Sequence, residues 1–286
     1  MTTFTLKILA LICMVLDHIG AYIPDMPVQM RWIGRQAAPV FVFCLCEGID
    51  HTSNEKKYLL RIYIASLIMA VVQYYTKINA NIFRTLFVIA VNLVFIKHIR
   101  KGEKEYKKYY LFYILYQVIT LFLFGWMYIK DQSLLVRRIL PAIVGSAAFC
   151  EGGVPWVILG IVIYLCRTSR KKLVVGMGIY TALYALLSLT NITTMITDPI
   201  ISLSGDSFYV RRFIHVAFFI TANAFRPGLT GRNPFTEQYQ WMMILSVIPM
   251  CMYNGKKGRS MKWFFYAFYI IHLVILWYIE GLLTGK

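Results

Sequence analysis

The sequence predicts an all-α polytopic membrane protein, with about nine to ten transmembrane helices plus re-entrant or interfacial segments. Three observations predict it. Of 286 residues, 59% are hydrophobic and only 15% charged, with a mean hydropathy of +0.61. The apolar residues fall into runs of about 15–20 separated by short polar loops, the pattern of successive membrane helices. The cations gather in those loops, as in His98 through Lys108. The net charge of +17 therefore reads as a positive-inside bias and attraction to anionic headgroups, with the lipid bilayer as partner and no nucleic acid. A helical bundle follows because lipid cannot satisfy backbone polar groups.

Candidate spans cover 4–23, 33–50, 58–75, 82–98, 108–129, 134–150, 155–167, 173–190, 208–224, 239–253 and 263–281. Pro141 interrupts 134–150, and Glu151-Gly152-Gly153-Val154-Pro155 joins it to the short 155–167 piece. Arg211, Arg212 and His215 make 208–224 too charged to face lipid, and they read as the polar face of an interfacial helix. The basic loops 51–57, 97–108, 167–172 and 254–262 share one side by the positive-inside rule. That arrangement requires 131–167 to cross only once, as a broken helix or with one re-entrant half. It also requires 191–236 to lie outside or to dip in and return. Thr197-Asp198-Pro199, Ser204-Gly205-Asp206-Ser207 and Asn233-Pro234 suit such an extracytoplasmic insertion within a single domain, 1–286.

The six cysteines form no CxxC pair and read as reduced packing residues. Lys7 followed by an apolar run resembles a signal peptide, but Asp17-His18 interrupts any cleavage region, so the stretch is expected to stay as helix one. The five histidines are dispersed, with no zinc spacing, and GxxxxGK[ST], GxSxG and a dinucleotide glycine fingerprint are absent. No metal is expected.

Helix one, Leu6 to Gly20, is the expected seat of chemistry. Lys7 and His18 are eleven residues apart, about three turns, and so share a face roughly 16 Å apart along the axis. Ionisable groups in an apolar helix cost a few kcal/mol each and face the bundle interior or a water-filled path. Asp17 points about 100° away and needs its own partner, for which Arg35 and Arg31 are the candidates. Glu47 and His51, at i,i+4, share a face, and Tyr269 and His272 do likewise on the last helix. His98 is expected to be solvated.

Several motifs together resemble the TraX family of integral membrane proteins, named for a pilin N-acetylase of conjugative plasmids. They are Leu6 to Gly20, Arg31-Trp32-Ile33-Gly34-Arg35 with Pro39-Val40-Phe41, Glu47 to Thr52, Tyr58 to Arg61 and Asn81-Ile82-Phe83. Near the other end come Tyr253 to Gly258, Lys262 to Tyr266 and Phe268 to Leu273. Three places depart from the pattern: Ile270 replaces a proline, Glu151-Gly152-Gly153 stands where Asp-Tyr-Gly is usual, and residues 191–236 are longer and more polar than the family's. The Lys7-x10-His18 spacing is also similar to the Arg-x10-His signature of acyltransferase family 3 membrane enzymes.

The resemblance implies a transmembrane acetyltransferase of the bacterial inner membrane, with acetyl-CoA as acyl donor and a peptide or glycan acceptor. It implies His18 as general base or acetyl carrier and Asp17 as its partner in catalysis. Lys7, Arg35, Glu47, His51 and Arg61 are then expected to hold the cofactor, and Arg31, Tyr269 and His272 the substrate. A small-molecule or ion transporter using an intramembrane Asp/His/Arg charge path is the alternative.

Overall fold

The computed structural model describes residues 1–203 and 207–285, without the side chain of Lys262. The expected break over 204–207 thus lies, but for Ser207, outside the described residues. Thirteen α-helices account for most of the rest, with no strand among the described residues. Six are long and apolar enough to cross a membrane: α1 (Thr3–Tyr22), α4 (Glu55–Thr76), α5 (Ile82–Arg100), α6 (Glu105–Lys130), α9 (Arg170–Leu189) and α13 (Lys262–Thr284, its span counted from Trp263).

That corrects the expectation of nine to ten full-length spans. The remaining expected spans are short or broken, each for a local reason. Residues 33–50 divide at Arg35 into α2 (Gln29–Gly34) and α3 (Ala37–His51). Residues 134–150 become a π turn (Leu135–Ile139), α7 (Leu140–Ile143) and a buried loop, before α8 (Gly153–Cys166). Gly145, Phe149, Gly152 and Gly153 there take positive φ, which no helix continues through. The 191–236 region folds into α10 (Ile192–Leu203), α11 (Phe208–Thr221) and a 3₁₀ turn (Asn223–Phe225). Residues Tyr239–Ser246 are 3₁₀ and run into α12 (Val247–Cys251).

Side-chain caps set the helix starts near the site. Thr2 accepts from Thr5 N at 3.2 Å, Asn54 from Lys57 N at 2.8 Å and Asn81 from Arg84 N at 3.2 Å. One apolar core joins α3, α5, α8, α9 and the Tyr239–Cys251 run, and a second joins α1, α4 and α13. The long helix α6 keeps most of its apolar side chains outward, Phe112, Phe122 and Trp126 among them, as a helix solvated by lipid does. The 191–236 region is built into this bundle: α11 packs along α6, and Ile220 O accepts from Phe149 N at 2.9 Å.

Arg167 ties α8 to α3. Its Nε lies 2.7 Å from Glu47 Oε1, its Nη2 pairs with Asp50, and its guanidinium sits 4.3 Å above the Tyr164 ring. Lys97 and His98 at the end of α5 bind Glu55 at the start of α4, at 2.7 and 2.9 Å. His98 is therefore not simply solvated: it bridges Glu55 and Glu103 and stacks 4.1 Å from Tyr106. These links gather the ends of α3, α5 and α8 with the start of α4.

Candidate functional site: two adjoining cavities along the first helix

A cavity of about 340 Å³ opens beside the start of α1, within the range of roughly 300–1,000 Å³ common for small-molecule sites. Lys7, Glu47, His51 and Arg61 line it, as do Lys257 and Arg259. The 252–258 segment is fastened over the start of α1: Thr3 N donates to Lys256 O at 2.9 Å, Phe4 N to Lys257 O at 3.0 Å, and Asn254 N to Met1 O at 2.9 Å.

The cations here lack acids. Among the described residues no carboxylate pairs with Lys7, Arg61, Lys257 or Arg259. Lys7 Nζ lies 5.5 Å from the Phe265 ring centre, and Arg61 sits 5.7 Å from that of Tyr58. Arg61 Nε is buried with no hydrogen-bond partner. A buried donor left unmade costs about 1–3 kcal/mol, more for a charged group, unless something enters to accept from it.

The second cavity, about 60 Å³, lies further along α1. It is large enough to hold ordered water, for which a cavity of about 10–15 Å³ suffices. Asp17, His18, Arg35, Glu151, Gln240 and Tyr269 line it. Met14, Phe41, Ile82 and Tyr269 line both cavities, so the small chamber adjoins the large one. α1 is unbroken from Thr3 to Tyr22, which preserves the roughly 16 Å between Lys7 and His18.

Asp17 is clamped by two arginines. Arg35 Nη2 bonds to Oδ1; Arg31 Nη1 lies 3.2 Å from Oδ2 and donates to Asp17 O at 2.8 Å. Arg35 also donates to Gln240 Oε1 at 2.8 Å, and Arg31 Nε to Tyr239 Oη at 3.0 Å. The close approach of α1 and α2 depends on Gly34, where an added Cβ would overlap the Asp17 side chain. Beside this cluster, His18 Nδ1 and His272 Nε2 are 2.7 Å apart, and His272 Nδ1 lies 2.9 Å from Phe268 O. Tyr269 Oη accepts from Ile82 N at 3.2 Å, so its own hydroxyl proton remains to be donated.

Glu151 enters the chamber on the buried loop after α7. Arg84 donates to Phe149 O, and Thr85 Oγ1 donates to Glu151 O at 2.8 Å. One carboxylate oxygen accepts from Asn81 N at 3.0 Å, at the positive end of α5; the other has no protein partner among the described residues.

The expected cofactor residues therefore separate. Lys7, Glu47, His51 and Arg61 meet at the large cavity, whereas Arg35 lies at the far end with Asp17, because the α2–α3 junction precedes Glu47 by about three turns of helix. Glu47 is held by Arg167, and His51 Nδ1 donates to Glu47 O at 2.8 Å. Of the expected substrate residues, Tyr269 faces both cavities; Arg31 and His272 line neither, and stand behind Asp17 and His18 instead. Sequence reasoning missed Glu151, Gln240, Lys257 and Arg259 as lining residues. The Glu151-Gly152-Gly153 departure was the one available signal for the first.

A family model described as TraX protein matches residues 3–223, most of the chain. The chain belongs to the TraX family. The TraX match spans α1 through α11 and so includes Lys7, Asp17, His18, Arg35, Arg61 and Glu151. The mouth segment and α13, with Tyr269 and His272, follow the matched TraX residues. No curated protein and no solved structure matches the chain at a significant level.

Proposed function

We propose that the chain is a membrane acetyltransferase that moves acetyl from acetyl-CoA to an amine or hydroxyl acceptor, a peptide N-terminus or a surface glycan. The observation that carries this reading is the pair of adjoining cavities, with unpaired cations at the wide end and His18 at the narrow end. The donor's phosphates lie against Lys7, Arg61, Lys257 and Arg259. Its pantetheine arm follows α1 past Met14 and Phe41, which brings the thioester into the chamber.

There His18 takes the proton of the acceptor N–H or O–H as that atom attacks the thioester carbonyl. The Tyr269 hydroxyl donates to the carbonyl oxygen as charge develops on it. The C–S bond then breaks, and the departing thiolate takes the proton from the His18 imidazolium. The products are acetylated acceptor and CoA thiol. Transfer through an acetyl-His18 intermediate uses the same residues, with His18 as nucleophile. Asp17, charge-balanced by Arg31 and Arg35, fixes the end of α1 that carries His18.

The Lys7 end faces the cytosol of the bacterial inner membrane in this reading, because the basic loops belong there. The six long helices are joined by three broken crossings: α2–α3, Leu135 through Cys166, and Tyr239 through Cys251. α11 dips in from the outer side. Nine crossings then place every basic loop inside. The Asp17–Arg31–Arg35 cluster beyond the chamber supports the rival, a transporter with a charge path.

The test uses purified protein in detergent, native and His18→Ala, supplied with a peptide amine or glycan acceptor, with acetyl-CoA binding and free thiol release both followed. Binding by both forms with release only by the native protein is expected. If neither form binds acetyl-CoA, the donor assignment fails and transport takes its place.

A further inference from the structure

We infer that His272 is a positioning residue that holds His18 in one tautomer, with the proton on Nδ1 and the Nε2 lone pair turned to the chamber. The inference rests on the acetyltransferase reading for its consequence, but on hydrogen-bond geometry for its content. The chain of contacts runs from Phe268 O to His272 Nδ1, across that ring to Nε2, and on to His18 Nδ1. A carbonyl oxygen only accepts, so the proton at this contact sits on His272 Nδ1. A neutral His272 then has a lone pair on Nε2. Only a proton on His18 Nδ1 satisfies the 2.7 Å contact between the rings.

The ring arrangement agrees. The two planes differ by 6° and the centroids are 5.0 Å apart; with so short an N···N contact, the rings lie end to end in one plane rather than face to face. Tyr269 and Tyr22 close on the His18 ring edge-on or tilted, at 6.2 and 5.9 Å, which leaves the imidazole little freedom to turn over. The charged groups facing the pair are Arg31 and Arg35, balanced by Asp17, with Glu151 across the chamber.

His18 lines the chamber and His272 does not. No described residue bonds to His18 Nε2, the nitrogen a base must expose. The arrangement does what a carboxylate does behind a catalytic histidine, with a second imidazole as the acceptor. The opposite tautomer would point two lone pairs at each other, either between the rings or at Phe268 O.

The direct test is ring-¹⁵N NMR of histidine-labelled native protein in detergent, with His18 signals assigned by their loss in His18→Gln. A protonated Nδ1 and a bare Nε2 on His18 are expected. A proton on His18 Nε2 overturns the inference. In His272→Leu the fixed tautomer is expected to be lost and thiol release from acetyl-CoA to fall roughly tenfold or more, while acetyl-CoA affinity stays within about twofold. His272→Gln, whose side-chain oxygen reaches the place of Nε2 and accepts, restores both. If His272→Leu binds acetyl-CoA normally and keeps the native tautomer and rate, the positioning role is refuted. If the native protein has the assigned tautomer but releases no thiol with a peptide amine and a glycan acceptor supplied, the assignment stands and the acetyltransferase reading falls.

Discussion

Arg61→Gln is the most informative perturbation of the proposed donor site, because the structure ranks the four mouth cations before any measurement. Arg61 Nε is buried and unpartnered, and Lys7 is half-buried against Phe265, whereas Lys257 and Arg259 are exposed. Hydrogen bonds to a charged partner contribute about 1.5–3 kcal/mol each when sheltered from water. Exposed ion pairs contribute about 0.2–1 kcal/mol. At about 1.4 kcal/mol per factor of ten, Arg61→Gln and Lys7→Gln should each weaken acetyl-CoA binding roughly 10–150-fold. Lys257→Gln and Arg259→Gln should weaken it by no more than about fivefold. Titration calorimetry with acetyl-CoA reads these values, and acetyl-pantetheine, which lacks the nucleotide phosphates, is the control. Its weaker binding should be the same in native protein and all four variants. If the exposed pair matters more than the sheltered pair, or if Arg61→Gln weakens both donors equally, phosphate binding at this mouth is refuted.

Tyr269→Phe should keep acetyl-CoA affinity and lower thiol release by about 10²–10³, the usual cost of one oxyanion donor, in a stopped-flow thiol assay. Glu151→Gln leaves the mouth untouched, so donor binding should persist while turnover with acceptor falls by roughly tenfold or more; unchanged turnover would remove Glu151 from the site. Gly34→Ala forces a methyl group into Asp17 and should destabilise the protein by about 1–3 kcal/mol in thermal unfolding. Arg167→Leu removes the guanidinium from both Glu47 and Asp50 and leaves Asp50 the Tyr164 hydroxyl at 2.9 Å. Its cost should lie between the ~1 kcal/mol of an exposed pair and the ~3–5 kcal/mol of a buried one, since Asp50 is partly open to solvent.

The axis of the site was legible in the sequence because it is written along one helix. Lys7 and His18 share a face by helical period alone, and an unbroken α1 keeps them there. Asp17, set on another face, had to find a cation nearby, and it found both Arg31 and Arg35. The glycines and Pro141 marked the break before α8, and the polar 191–236 region supplied a segment, α11, that enters the bundle rather than extending it. What could not be read were contacts made across long stretches of chain. Nothing local to Glu151 says that it faces His18, since its position depends on Arg84, Thr85 and Asn81 holding a loop of positive-φ residues. The same holds for Gln240, Lys257 and Arg167, whose partners are distant in sequence. The number of long helices was overestimated because an apolar run does not record where the backbone turns, as it does at Arg35-Gln36 between α2 and α3 and at the positive-φ residues before α8.

The hydrogen bond between His18 and His272 joins residues 254 positions apart, and Tyr269, on the same last helix, walls both cavities. α1 is thus completed by a helix that leaves the ribosome long after it. Until α13 is made, α1 carries His18 without the imidazole and the tyrosine that close on it. Arg31 and Arg35 arrive within a few turns and can neutralise Asp17 early, but the imidazole waits for the C-terminal helix. Closure of the small chamber therefore waits for α13, and a chain cut short before α13 lacks both Tyr269 in its wall and the partner of His18.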